Sequence, residues 1–248
     1  MFLTIGVTLS GCGSADYARL QGQTMGTYFL VQYAPTQSCH PTLPGIQEQL
    51  AVLNHTFSTY QADSELSLLN LAAAGRPVSI SSQLGKVLAE AYRVWQLSGG
   101  AFDVTVGPLV NLWGFGPDDP PHTPDEQAQA QIAHLVGMDK LAIDFDATPM
   151  RVTKSHDEQY IDLSALAKGY AVDVLAERLE QLGCTDYMVD IGGEIRVRGS
   201  NPRGTAWRIG IERPDASDTG QINTVVALVD VAVATSGDYR NFKVVNDR

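Results

Sequence analysis

The stretch from Asp162 to Gly183 constrains the fold of this chain more than any other part of its sequence. It reads as one long helix over about 163–182. Asp162 or Ser164 can cap its start, and Gly183 stops it. Alternating runs typical of antiparallel strands follow: Tyr187-Met188-Val189, Ile195-Arg196-Val197 and Trp207-Arg208-Ile209-Gly210-Ile211. Residues 222–234 form another strand candidate. Strands in a meander beside flanking helices predict an α+β fold with antiparallel or mixed sheets.

The upstream half fits that class. Residues 13–22 read as a short tether, and 23–33 as a strand rich in β-branched and aromatic residues. A Pro/Ser/Thr loop covers 34–44. Ile46, Leu50 and Leu53 predict a helix over 45–56. A second helix is expected at about 82–98, ended by Gly99-Gly100. Residues 117–124 are proline-dense and predict an exposed loop, and 125–136 a short helix. Residues 140–153 suggest a hairpin turning near Asp146-Ala147-Thr148-Pro149.

The chain has 248 residues, of which 44% are hydrophobic. That suffices for one large domain or two closely packed lobes. The net charge is −11, which disfavours nucleic acid and anionic lipid as partners. Acidity does not exclude a phosphate-bearing small ligand, because backbone dipoles and a metal can supply a local positive field.

Three cysteines, Cys12, Cys39 and Cys184, cannot all pair within one chain. Cys12 closes Leu9-Ser10-Gly11-Cys12 after an uncharged apolar stretch, a pattern like a bacterial lipobox. The expectation is a leader over 1–12 with Cys12 lipidated and 23–248 as the folded domain. Cys39 and Cys184 could form a disulfide in an oxidising compartment or remain two buried thiols.

Four islands carry chemistry. They are Thr24-Met25-Gly26-Thr27, the run 57–66 around Tyr60, the run 99–109 with Ala101-Phe102-Asp103, and the run 161–173 with Asp162, Ala165 and Lys168. Asp190-Ile191-Gly192-Gly193-Glu194 and Ala234-Thr235-Ser236-Gly237-Asp238-Tyr239 support them. Singly, each has a bland reading: a turn, a cap or a loop aromatic. Gly192-Gly193 lacks the spacing of a dinucleotide-binding fingerprint.

In this order the islands resemble the FAD:protein FMN transferase (ApbE) family, over about residues 20–243. The resemblance implies an ApbE-like fold and a reaction. Family members bind FAD and a divalent cation, usually Mg2+, split the pyrophosphate, place FMN on a Thr or Ser hydroxyl of an acceptor flavoprotein, and release AMP. It assigns Met25, Tyr60, Ala101, Phe102, Asp103, Asp162 and Lys168 to FAD, and the Ala165 main-chain oxygen to the metal. A tyrosine face and a soft methionine suit the flat isoalloxazine. Lys168 can neutralise phosphate charge. A carbonyl ligand at Ala165 would require local irregularity within 162–169, since a helical carbonyl normally accepts an intrahelical bond.

The family pattern continues with a His-Ile-Ile-Asp-Pro-like strand and an Asp-Ala-x-x-Thr-like stretch, neither present among these residues. None of His40, His55, His122, His134 or His156 stands in a matching context. The family's catalytic base and its remaining metal ligands are therefore expected beyond Arg248, and the fold is expected to continue there. The further expectation is half a metal site and little activity for these 248 residues alone. Alternatives are a Mg2+-dependent FAD pyrophosphatase and a non-catalytic FAD-binding lipoprotein. A respiratory redox-complex subunit is the acceptor the resemblance suggests, at the periplasmic side of the inner membrane.

Overall fold

A computed structural model describes residues 17–117, 124–213 and 221–237. Cys12, most of the proline-dense loop and the segment from Asp238 to Arg248 lie outside the described residues. The base expected beyond Arg248 lies outside them too.

The first hairpin joins β1 (Ala18–Thr24) to β2 (Thr27–Tyr33), with Thr24 opposite Thr27. Its two-residue turn is Met25-Gly26, with φ of 47° and 72°. Positive φ at both positions gives the turn twist that two-residue hairpins prefer. This corrects two expectations. Residues 23–33 are not one strand, and 18–22 are not tether but half of a paired ribbon. Met25 concealed the turn, because a methionine seldom occupies left-handed backbone.

The main sheet has the order β1-β2-β6-β7-β10, with β6 at Tyr187–Ile191, β7 at Glu194–Arg198 and β10 at Ala232–Val233; its paired strands are antiparallel. A second sheet pairs β3 (Val78–Ser79) and β4 (Leu141–Asp144) with β5 (Arg151–Lys154). A ribbon of β8 (Trp207–Glu212) and β9 (Ile222–Leu228) stands apart. The run 222–234 is thus two strands in different sheets. Asp230, at φ 51°, breaks it.

The helices are α1 (Leu43–Phe57), α2 (Glu65–Asn70), α3 (Ser82–Leu97), α4 (Gly107–Leu112), α5 (Glu126–Ala133) and α6 (Ser164–Gln181). The α6 helix packs on β6 and β7 and also meets α1 and α3. Its Ala171, Val172, Leu175, Ala176 and Leu179 are buried in the main core beside Leu53, Val189 and Ile191. Full burial of each leucine contributes roughly 1.5–3 kcal/mol. Gly183, at φ 76°, ends α6 as expected. The Cys184 amide bonds the Leu179 carbonyl at 2.9 Å and the Gly183 amide bonds that of Glu180, also at 2.9 Å. This double bond pattern satisfies carbonyls that the last turn leaves open.

Cys184, directly after this cap, is joined to Cys39 by a disulfide. The bridge fixes the C-terminal end of α6 to the loop after β2. No helix among the described residues is long and apolar enough to cross a membrane. The α+β class expected from the sequence holds.

Candidate functional site

The N-terminal end of α6 lies where three of the sequence islands are stitched together. The Asn70 side chain, at the end of α2, donates from Nδ2 to the Ile161 carbonyl (2.9 Å) and accepts the Ile161 amide on Oδ1 (2.8 Å). One residue on, the Asp162 amide donates to the Val104 carbonyl at 2.8 Å. The 57–66, 99–109 and 161–173 islands are thereby held in one register, although Asn70 and Ile161 are 91 residues apart.

Beneath the seam lies Lys154, 2% exposed. Its Nζ donates to the Asn70 carbonyl at 2.5 Å, the Asp157 carbonyl at 2.8 Å and the Gln159 carbonyl at 3.2 Å. Burial lowers its pKa, against the opposing pull of Asp157 and Glu158. Three carbonyls saturate the three donors of the ammonium, so the buried cation clamps the loop leading into Asp162.

Three clefts meet at the start of α6. The first, about 360 Å³, is lined by Met25, Phe57, Tyr60, Asp162, Ser164 and Lys168, among others. The second, about 410 Å³, is lined by Gly100, Ala101, Phe102, Asp103, Asp162, Ser164 and Ala165 with neighbouring valines. Asp162 and Ser164 are common to both. The third, about 720 Å³, lies between α3, α6 and residues 234–237, and shares Ser164 and Lys168 with the first. Two of the three clefts therefore form one groove with a waist at Asp162 and Ser164.

The waist sets the start of a long helix beside a carboxylate, Asp162. The helices α1, α3 and α5 begin with side-chain caps from Thr42, Ser81 and Asp125. The α6 helix has 18 residues, no side-chain cap at Leu163 and no acidic residue in its first turn. The helix dipole favours negative charge there, although the Asp162 carboxylate already takes the Ser164 amide and the Leu166 and Ala167 amides bond the Leu163 carbonyl.

Met25, Tyr60, Asp162 and Lys168 line the first cleft. Tyr60 is 70% exposed, its ring open to a stacking partner and its hydroxyl 3.5 Å from the Phe115 carbonyl. Ala101, Phe102 and Asp103 line the second cleft. Asp103 is not simply a free acceptor. Its Oδ1 takes the Thr105 amide (2.8 Å) and hydroxyl (2.5 Å), and its Oδ2 the Met138 amide (2.9 Å). Its carboxylate shapes the loop that presents Ala101 and Phe102. Asp162 Oδ1 accepts the Ser164 amide at 2.8 Å, just before the helix begins.

Lys168 also has a partner that the sequence did not reveal. Its Nζ meets both carboxylate oxygens of Glu194, at 2.8 and 3.0 Å. Two of its donors are spent there, leaving one for the waist. Ala165 is exposed and lines the second and third clefts. The anticipated irregularity is confined to the first turn, where the Leu163 carbonyl accepts both the Leu166 and Ala167 amides, at 2.9 and 2.8 Å. From Ser164 on, α6 is unbroken.

Sequence reasoning missed Asn70, Lys154 and Glu194 as site-building residues. Glu194 stands in the quoted Gly-Gly-Glu run, so its proximity to Gly192-Gly193 was the available signal. Asn70 and Lys154 had none, because their partners lie more than 80 residues away or are carbonyls.

The chain is thus an α+β protein with a two-ended groove, an aromatic face at one end and the start of a long helix at its waist. The ApbE family profile matches residues 25–248, and the chain belongs to the ApbE family. It is 43% identical over 229 residues to the FAD:protein FMN transferase of Haemophilus influenzae, covering 89% of this chain and 66% of that protein. It is 43% identical over 240 residues to the protein of that name from Vibrio cholerae, covering 94% and 70%. The solved structure of the flavin transferase ApbE from Vibrio cholerae superimposes with a TM-score of 0.83 at 40% identity, over 93% of this chain and 74% of that one. The chain thus spans about two thirds of the length of these curated relatives.

Proposed function

We propose that this protein transfers FMN from FAD to a Thr or Ser hydroxyl of an acceptor flavoprotein. The carrying observation is the groove with its waist at the start of α6. The isoalloxazine would lie against Tyr60 and Met25 in the first cleft. The adenosine half would lie along Ala101 and Phe102 in the second. The pyrophosphate would then fall at Asp162 and Ser164, beside the start of α6 and within reach of the third proton of Lys168. The names of the Haemophilus and Vibrio relatives support this reading.

In the reaction, the acceptor oxygen forms a bond to the FMN-side phosphorus. The bond from that phosphorus to the bridging oxygen breaks, AMP leaves with the electron pair, and the hydroxyl proton passes to a base. No residue described here is assigned to that base. Such transfers depend on positioning and charge neutralisation. The α6 terminus and Lys168 supply part of both, and Glu194 holds Lys168 in place.

Magnesium asks for about six oxygen ligands. Among the described residues no three His, Cys, Asp or Glu side chains gather as ligands. The Ala165 carbonyl is the one candidate carried over from the family, and the described residues alone do not fit the ion. Magnesium dependence is part of the proposal, and titration against EDTA tests it.

The proposed setting is the periplasmic face of a bacterial membrane, with Cys12 as a lipid anchor. The disulfide between Cys39 and Cys184 supports an oxidising compartment.

The experiment is FMN transfer from FAD to a purified, flavin-free acceptor domain, followed by denaturing-gel flavin fluorescence and AMP release. Fluorescent acceptor with matching AMP is expected. FMN and AMP free in solution, with dark acceptor, would make the protein a pyrophosphatase.

A further inference from the structure

We propose that Asp190 is a positioning residue for Lys168, acting through the Gly192-Gly193 turn and Glu194. The inference rests on the reading above, in which Lys168 serves the phosphates of FAD. Asp190 itself lines neither cleft of the groove. It lies inside the main sheet, 9% exposed, with Leu30 opposite it on β2 and Ile195 opposite it on β7. A carboxylate between two apolar neighbours is costly unless hydrogen bonds compensate it. An apolar side chain would serve the sheet alone at least as well, so the role of the acid lies in what it holds.

It holds the turn that joins β6 to β7. Its Oδ1 accepts the Gly193 amide at 3.0 Å and its Oδ2 accepts the Tyr28 hydroxyl at 3.1 Å. Gly192 and Gly193 have φ of 60° and 100°. A Cβ at Gly192 would stand 2.7 Å from the Thr27 side chain, so only glycine fits both the conformation and the space there. The Gly192 amide donates to the Tyr28 carbonyl at 3.2 Å, and the Thr235 hydroxyl donates to the Gly193 carbonyl, also at 3.2 Å.

Glu194 follows the turn directly and opens β7, paired with Ile191. Its carboxylate therefore moves with the turn. Both of its oxygens meet Lys168 Nζ, and the two side chains are only 18% and 31% exposed. Without Asp190 the Gly193 amide loses its acceptor, and a turn of two glycines has many other conformations available. A displaced Glu194 releases Lys168, which then has its rotamer freedom to lose on meeting a phosphate. Asp190 thus prepares the lysine for its ligand without touching either.

Asp190→Ala, Glu194→Ala and the two combined test the proposal, with Asp190→Asn as the conservative variant. Asparagine can accept the Gly193 amide on Oδ1 and donate from Nδ2 to the Tyr28 hydroxyl oxygen. Thr235→Val, at an exposed position, removes another tether of the same turn and keeps the test open should Asp190→Ala not fold. Melting confirms folding of each variant, and calorimetry measures FAD and riboflavin, which carries no phosphate. The expected result is FAD affinity lowered at least fivefold in Asp190→Ala and at least twofold in Thr235→Val, with riboflavin affinity within twofold of wild type. Asp190→Asn should match wild type for both ligands within twofold. In the Glu194→Ala background, adding Asp190→Ala should change FAD affinity less than twofold, because the link is already cut. FAD affinity near wild type in both Asp190→Ala and Thr235→Val would overturn the proposal. So would riboflavin weakening in step with FAD, or the full Asp190→Ala loss persisting without Glu194. Wild-type protein that binds neither ligand would instead refute the FAD reading, before any variant is compared.

Discussion

Replacing Asn70 by alanine should uncouple the site from its scaffold, at a cost the geometry allows one to estimate. Asn70 is 6% exposed and Ile161 is fully buried. The substitution removes two hydrogen bonds, of 2.9 and 2.8 Å, and leaves the Ile161 amide and carbonyl without those partners. An unsatisfied buried polar group costs about 1–3 kcal/mol, so the pair gives roughly 2–6 kcal/mol. The low end applies if water occupies the space left by the amide. Against a typical domain stability of about 5–15 kcal/mol, the variant should fold but melt early. Asn70→Asp keeps an acceptor for the Ile161 amide but turns an oxygen toward its carbonyl, and should lose nearly as much. Asn223→Ala, at an exposed position on β9, serves as control and should stay within about 0.5 kcal/mol. Urea unfolding at neutral pH measures all three. A loss below about 0.5 kcal/mol for Asn70→Ala would refute the claim that this amide holds Ile161 and Asp162.

Three further outcomes follow from other parts of the structure. Met25→Gly removes a left-handed non-glycine residue, an arrangement costing roughly 1–2 kcal/mol, so thermal stability should hold or rise while flavin affinity falls; a marked drop in melting temperature would contradict this. Cys39→Ser with Cys184→Ser opens a link spanning 145 residues and should cost up to about 5 kcal/mol by loop entropy, with reductant having no further effect on the double variant's melting. Asp190 is pushed above its ordinary value of 3.8, chiefly by burial, against hydrogen bonds from Gly193 and Tyr28. The folded state therefore holds this proton more tightly than the unfolded chain, and stability is lost as pH rises from about 4 through the folded pKa. Asp190→Asn should be more stable than wild type at pH 7, and the gap should close below about pH 4; a gap that widens on acidification would reverse the sign.

Local order was legible where periodicity and punctuation agree. Ile46, Leu50 and Leu53 announce α1, Gly99-Gly100 closes α3, and Gly183 closes α6. The first hairpin was not legible, because Met25 sits where asparagine or glycine usually signals such a turn. The six-residue α2 was hidden inside a motif, too short to show a period. The motif residues do gather at adjoining clefts, yet their supports could not be read from the sequence. Lys154 looks like any surface lysine until three carbonyls enclose it. Asp103 reads as a ligand contact, and the fold adds a supporting role, since its carboxylate also takes bonds from Thr105 and Met138. Such roles depend on partners that only the tertiary fold brings near.

The central claim is that the groove pinched at Asp162 and Ser164 holds FAD with its flavin on Tyr60. Calorimetric titration of FAD and of AMP into wild type and Tyr60→Ala tests it most directly. Loss of one stacked ring costs about 1–3 kcal/mol, so FAD should bind wild type and weaken on the order of tenfold or more in the variant, with AMP unchanged. No heat with FAD in a folded preparation, or AMP weakened while FAD is unaffected, would contradict it.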